Sequence, residues 1–189
     1  ATIKWLRDQL QIISTAHECD ILAESVPDSN GCVLVPAFTG LGSPYWDPYA
    51  RGTIVGITRG VNKYHIIRAT LQSLALQAND VIRAMEKDSG IELSQLRVDG
   101  GASANNLLCQ MQSDFSLAPV IRPKCVETTA MGAAYLAGLA SGYWQSLEEI
   151  SKNYQVDMTF NSQMNLDERR AEIHNWHKAV KRSLRFAID

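Results

Sequence analysis

The stretch Asp99-Gly100-Gly101-Ala102-Ser103-Ala104-Asn105-Asn106 decides the fold of this chain. The apolar run 96–98 before it predicts the end of a β-strand, and the run 107–111 after it predicts the first turns of a helix. Paired glycines at such a junction let a ligand approach the backbone, because glycine has no Cβ, and the helix start adds free N–H groups. The spacing excludes the P-loop and the G-x-G-x-x-G fingerprint. A phosphate- or adenosine-binding turn and a tight turn without ligand both stay open.

Composition places the chain among globular proteins. Its 189 residues are enough for one well-cored domain, with 46% apolar and 20% charged residues. A formal charge of −2 argues against a nucleic-acid partner, and no apolar run reaches the length of a membrane span. There is no C-x-x-C pair and no metal-ligand spacing, so no metal site is expected. Reduced thiols in the cytoplasm are expected for the four scattered cysteines, Cys19, Cys32, Cys109 and Cys125.

Outward from the glycine turn, strands alternate with helices. Short apolar runs predict strands at 32–35, 53–57, 96–99 and 119–123. Helical stripes predict helices at 3–13, 62–88, 105–115, 130–140 and 167–187. This alternation indicates an α/β domain. We expect the small-residue helix 130–140 to lie close against its neighbours, and the polar segment 151–167 to be a surface connection.

Three blocks of sequence together resemble the FGGY family of carbohydrate kinases. They are residues 35–52, residues 52–57 with 65–72 after a seven-residue spacer, and residues 99–106 with 127–138. Within the family, the Pro44-Tyr45-Trp46-Asp47-Pro48 segment is most similar to the members that phosphorylate glycerol. The resemblance extends from Trp5 to Lys181.

The resemblance implies the C-terminal lobe of an actin-like ATPase (ribonuclease H-like) architecture, an α/β lobe with a mixed β-sheet and helices on both faces. Residues 1–189 would then be the C-terminal, nucleotide-side domain of a two-domain kinase whose N-terminal domain is absent from this chain. The start of the sequence agrees with that expectation, because Ala1 is not an initiator Met and leads straight into a helical pattern without a cap.

The resemblance also implies site residues. ATP, with Mg²⁺, would lie in the cleft between the lobes, and this lobe would supply the adenosine side. Gly101 would border the adenine with Gly100 beside it, Asn105 would bind the adenine edge, and Lys4 would lie near the nucleotide. The side-chain amide of Asn105 can donate and accept together, as an adenine edge requires. The catalytic aspartate, the glycerol contacts and the phosphate-binding loop would belong to the absent half, so this chain is expected to hold no catalytic residue.

The implied function is the C-terminal half of an enzyme that converts ATP and glycerol to ADP and glycerol 3-phosphate. The whole enzyme is expected to be a cytoplasmic homo-oligomer, and the isolated chain to be inactive. Two alternatives stay open at this point. One is another sugar kinase of the family, acting on a pentulose or a sugar acid. The other is a non-catalytic module that binds nucleotide or a protein partner.

Several other polar residues have structural interpretations. We expect Asp47 to organise its proline-rich loop, Asp99 to sit at a strand end, and Asp114 to lie on a solvated helix face. The aromatic loop 45–49 is expected to be packed through aromatic anchors, and His65 to belong to a helix start.

Overall fold

The computed structural model describes residues 1–188, which form an α/β domain. The helices are α1 (Thr2–Asp8), α2 (Glu18–Glu24), α3 (Lys63–Ser89), α4 (Asn106–Ser116), α5 (Thr128–Ser141), α6 (Leu147–Ser151) and α7 (Leu166–Ser183). The strands are β1 (Val33–Val35), β2 (Thr53–Val55), β3 (Leu96–Arg97), β4 (Val120–Pro123) and β5 (Val156–Phe160). Within this part of the chain, no helix combines the length and the apolar character that a membrane crossing requires.

The strands fall into two sheets. β1 and β2 form an antiparallel pair, in which Leu34 faces Ile54. The second sheet has the order β3-β4-β5, with β3 parallel and β5 antiparallel to β4. A parallel pair needs a crossover connection, and here α4 supplies it. The mixed sheet predicted from sequence is confirmed, and the turn that starts the crossover is the one at Gly100.

The expectation of a simple surface connection over 151–167 is wrong, because this segment contains β5. Four of the five residues of β5 are exposed, and Phe160 alone is buried. The sequence of β5, Val-Asp-Met-Thr-Phe, does alternate apolar and polar residues, which is the pattern by which strands are predicted. The local sequence therefore carried a strand signal that the expectation did not use. What it does not specify is the partner strand, β4, in which Val120 faces Phe160.

The longest helix, α3, is capped at both ends. The Asn62 side chain accepts from the backbone N–H of His65, and the His65 ring accepts from the backbone N–H of Asn62. At the other end Gly90 has φ 70°, the left-handed conformation that glycine adopts readily. Between these caps, buried side chains of α3 such as Ile67 and Leu71 pack into the main core with residues of β1, α4 and α7.

One buried carboxylate joins three distant segments. Asp80, on α3, accepts hydrogen bonds of 2.6 Å from the Tyr45 hydroxyl and of 2.6 Å from the Trp176 indole N–H. Its other oxygen lies 3.1 Å from Nε2 of His177. Burial, together with the hydrogen bond to Asp80, raises the pKa of Tyr45, so that its hydroxyl stays a donor. Asp80 therefore ties the 36–52 loop to α3 and α7.

Two further carboxylates organise irregular backbone. Asp47 accepts from the N–H groups of Tyr49 and Ala50 and, through its other oxygen, from that of Arg185, which confirms its predicted role in the loop. The expectation of a solvated Asp114 is wrong. Asp114 is buried, and its Oδ1 accepts from the backbone of residues 163 and 164 in the segment that leads into α7. Buried backbone N–H groups need such partners.

Helix α5 corrects another expectation. Its small residues predict close packing, yet none of its 14 residues is buried by the rest of residues 1–188. Leu136 is 70% exposed. Close approach occurs at Gly138, where an added Cβ would lie 2.2 Å from the Trp144 ring.

The aromatic loop 45–49 is also more open than expected, because only Tyr45 is anchored while Trp46 is 76% exposed.

We predict that Asp80→Ala lowers the free energy of unfolding by roughly 2–5 kcal/mol, because it leaves the buried Tyr45 and Trp176 donors unpaired. Asp88→Ala, an exposed position on the same helix, should change it by less than about 0.5 kcal/mol. Urea unfolding of both variants tests this difference. Equal losses in the two proteins would contradict a special role for Asp80.

Candidate functional site

The glycine turn leaves β3 through an unusual backbone conformation. Gly100 has φ 73° and ψ 177°, a combination that is essentially restricted to glycine. A single 3-10 turn, Gly101–Ala104, follows it and leads into α4. The sequence-predicted strand, turn and helix are therefore present, and Gly100 is the residue whose conformation makes the turn possible.

Gly101 differs from its neighbour. Its φ is not positive, it is exposed, and a Cβ built on it would meet no atom within 4 Å. Nothing within residues 1–188 therefore requires glycine at this position. What its missing side chain does provide is open space in front of the backbone, which is the condition for close approach by a ligand.

Hydrogen bonds hold the turn in place. The Gly100 N–H donates to the carbonyl of Val126 at 2.9 Å, and the Thr128 hydroxyl donates to the carboxylate of Asp99. The carbonyl of Gly100 accepts from both the N–H and the hydroxyl of Ser103. These contacts fix the turn to the segment that leads into α5, and they use Asp99 structurally at the strand end, as expected.

A buried arginine, which sequence reasoning missed, supports the turn from behind. Nη1 of Arg122, on β4, donates at 2.8 Å both to the carbonyl of Ser103 and to the side-chain oxygen of Asn106. Nε donates at 2.8 Å to Asp157 on β5, and the guanidinium lies 5.3 Å from the centre of the Phe160 ring. The only sequence signal was an arginine inside an otherwise apolar strand.

Asn105 has a structural role that the sequence-based hypothesis did not include. Its Oδ1 accepts from the backbone N–H of Leu108 at 2.7 Å, so Asn105 is the N-cap of α4. The side-chain oxygen is therefore occupied, while Nδ2 makes no hydrogen bond within residues 1–188. Of the two functions expected for this amide, donation by Nδ2 is fully available to a ligand, and acceptance is left to the second lone pair of Oδ1.

The structure brings three of the four predicted site residues together. Gly100, Gly101 and Asn105 share one turn, and a cavity of about 230 Å³ adjoins it, lined among others by Ala102 and Ser103. Lys4 is exposed on α1, which packs against α3, and no hydrogen bond among residues 1–188 joins it to the turn. The same residues contain no group of three or more His, Cys, Asp or Glu side chains placed to hold a metal ion.

Comparison with known proteins finds a family and individual relatives that agree with one another. Residues 1–141 match the family described as the FGGY family of carbohydrate kinases, C-terminal domain. The chain is 60% identical to a glycerol kinase of Agathobacter rectalis over 189 residues, which is 100% of this chain and 38% of that protein. It is 57% identical to a glycerol kinase of Aeromonas salmonicida over 187 residues, 99% of this chain and 37% of that protein. The chain therefore spans less than two fifths of the length of these relatives.

Solved structures agree on the fold. A crystal structure of Plasmodium falciparum glycerol kinase with ADP superposes with a TM-score of 0.87 at 36% identity, over 96% of this chain and 36% of that one. A ligand-bound xylulose kinase from Lactobacillus acidophilus gives 0.74 at 23% identity, over 96% and 36%, and shows the fold alone. The predicted fold class is confirmed by these likenesses.

The two glycines of the turn should respond differently to the same substitution. Gly100→Ala forces a Cβ into a glycine-only conformation and should lower the free energy of unfolding by about 1–3 kcal/mol. Gly101→Ala meets open space and should change it by less than about 0.5 kcal/mol. Thermal or urea unfolding compares the variants. A larger loss for Gly101→Ala than for Gly100→Ala would refute this assignment.

Proposed function

The chain belongs to the FGGY family of carbohydrate kinases, and on that premise we propose that it forms the nucleotide-side, C-terminal part of a glycerol kinase. The full-length enzyme would transfer the terminal phosphate of ATP to a terminal hydroxyl of glycerol, giving ADP and glycerol 3-phosphate. The observation that carries the proposal is the 60% identity to a glycerol kinase across the whole chain. The likeness to a glycerol kinase crystallised with ADP supports nucleotide use.

The glycine turn is the proposed adenosine-binding surface. Gly101 offers open space in front of its backbone, and a side chain there would fill that space. Nδ2 of Asn105 is free to donate to an acceptor nitrogen of adenine, and its oxygen keeps α4 capped. Gly100 sets the direction of the chain immediately before these two residues. Lys4 stays a proposed contact on the strength of the family resemblance and its exposed ammonium group.

The remaining chemistry is assigned to the part of the enzyme outside this chain. Phosphoryl transfer depends on positioning and on neutralising the charge of the phosphates, and Mg²⁺ supplies part of that neutralisation. Residues 1–188 hold no group of three or more His, Cys, Asp or Glu side chains placed for a metal ion, and Mg²⁺ in kinases is usually held by one or two carboxylates together with the substrate phosphates. We propose that the catalytic base, the glycerol contacts and the metal-binding groups belong to an N-terminal domain.

The alternatives are less well supported. The xylulose kinase likeness stands at 23% identity and concerns the fold, whereas the identity to glycerol kinases is 56–60% in several relatives. A non-catalytic module has no observation in its favour.

We propose that the full-length enzyme is a homo-oligomer in the cytoplasm. All four cysteines are free thiols, which suits a reducing compartment such as the cytoplasm. Sedimentation of the full-length protein would measure its oligomeric state.

Substitutions at Asn105 should separate capping from nucleotide binding in the full-length enzyme. Asn105→Asp keeps an N-cap oxygen but removes the N–H donor, so it should raise the KM for ATP roughly tenfold, the equivalent of losing one polar contact. The KM for glycerol and the melting temperature should stay near the native values. Asn105→Ala should weaken ATP binding and also lower stability by about 1 kcal/mol.

Steady-state kinetics and thermal unfolding measure both effects. A changed KM for glycerol with an unaltered KM for ATP would reject the adenine role of Asn105. Native ATP kinetics in Asn105→Asp would reject it equally.

Residues 1–189 alone should lack glycerol kinase activity, because one side of a cleft cannot position both substrates. A coupled assay of ADP release with glycerol and Mg-ATP should show turnover for the full-length protein and none for the isolated chain. Comparable turnover in both would refute the division of labour. A full-length protein that prefers xylulose or gluconate to glycerol would refute the substrate.

A further inference from the structure

Arg122 holds the glycine turn at two points through a single nitrogen atom. Its Nη1 donates at 2.8 Å to the backbone carbonyl of Ser103 and at 2.8 Å to the side-chain oxygen of Asn106. Ser103 lies two residues before Asn105 in the sequence, and Asn106 follows it directly. Arg122 therefore fixes the backbone on both sides of the residue that we propose as the adenine donor.

The contact between Arg122 and the turn is buried. Arg122 is 8% exposed and Ser103 is 4% exposed. The Ser103 carbonyl accepts a second hydrogen bond, from Sγ of Cys109 at 3.3 Å. A buried ion pair often adds no more stability than an apolar side chain of similar volume would add. The arginine is therefore better explained by what it positions than by the stability that it contributes.

An irregularity in β5 supplies the counter-ion of Arg122. Pro123 pairs with Val156, and Arg122 pairs with Met158. Asp157 is therefore an extra residue on β5, and its carboxylate accepts from Nε of Arg122 at 2.8 Å. Successive side chains of a regular strand point to opposite faces, whereas a bulge of one extra residue redirects a side chain. Such bulges are frequent next to active sites.

We infer that Arg122 is a positioning residue for nucleotide binding and that it acts through Asn105. This inference rests on the proposed function, in which Nδ2 of Asn105 donates to adenine. A binding group must be held within about 0.5 Å of its productive position. The bond from the Leu108 N–H fixes the oxygen of the Asn105 amide, and Arg122 fixes the backbone beneath it. Asp157 in turn holds the guanidinium of Arg122.

The first test uses the full-length enzyme with Arg122→Met, an unbranched side chain without donors. The KM for ATP should rise about three- to tenfold, up to the rise expected when the Asn105 donor itself is lost. The kcat and the KM for glycerol should stay near the native values, because an adenosine contact is made equally in the ground state and in the transition state. A native KM for ATP in a folded Arg122→Met enzyme would overturn the inference.

Arg169→Met is the matched control. Arg169 is also partly buried, and its Nε donates at 2.8 Å to the carbonyl of Phe115, near the opposite end of α4. Its loss should lower the melting temperature, as the loss of Arg122 does, and should leave the KM for ATP at the native value. Equal rises of that KM in the two variants would indicate a general loss of stability and would count against a positioning role.

A pair of variants shows whether Arg122 acts through Asn105. Asn105→Ser keeps a hydroxyl oxygen that can cap α4 and removes the amide donor. Because the donor is then already absent, adding Arg122→Met should raise the KM for ATP by less than about twofold further. Independent effects would multiply instead, and multiplication of the two fold-changes would overturn the inference.

Asp157→Asn gives a second measurement if Arg122→Met does not fold. The Asp157 side chain is 43% exposed, so this change is milder, and the KM for ATP should rise about two- to threefold. A native KM would again contradict the inference.

Activity towards glycerol and affinity for ADP are measured separately, the second by calorimetry. A native protein that binds ADP without phosphorylating glycerol refutes the proposed function. The same variants then test the inference through their affinity for ADP, which should fall by the same factors. A native protein that does not bind ADP refutes both.

Discussion

The carboxylate of Asp80 is the constraint on which the rest of this domain depends. A buried charge is costly unless donors surround it, and Tyr45, Trp176 and His177 approach it from two other segments. Their positions fix how the irregular 36–52 loop and α7 lie on α3. Asp47 and Asp114 act in the same way on smaller segments, by accepting from backbone N–H groups that β-sheet pairing does not satisfy.

The glycine turn divides its tasks among neighbouring residues. Gly100 provides the backbone conformation, Gly101 provides open space, and Arg122 holds the turn from the adjacent strand. Asn105 combines two tasks, because its oxygen caps α4 while its nitrogen stays free. Stability and the proposed nucleotide binding therefore meet in one side chain, and a substitution there must preserve the cap before its effect on binding can be interpreted.

Structural likeness supports the fold, whereas sequence identity supports the proposed substrate. The actin-like lobe is shared with a xylulose kinase at 23% identity, so the architecture alone does not distinguish a pentulose from glycerol. High identity to glycerol kinases along the whole chain is what favours glycerol. In our proposal the chain holds the adenosine side, and the contacts that select the substrate belong to the part of the enzyme outside this chain.

The sequence by itself determined the features whose physics is local. The caps at Asn62 and Gly90, the turn at Gly100 and the helices around them follow from side-chain hydrogen bonds, backbone freedom and apolar periodicity within a few residues. Only the tertiary structure decided which distant donors meet Asp80, that Arg122 supports the turn, that β5 pairs with β4 and that α5 stays uncovered by the rest of residues 1–188. Tyr45 and Trp176 lie 35 and 96 residues from Asp80 in the sequence. Hydrophobic periodicity shows which face of a single helix or strand is apolar, but it does not show which other element will pack against that face.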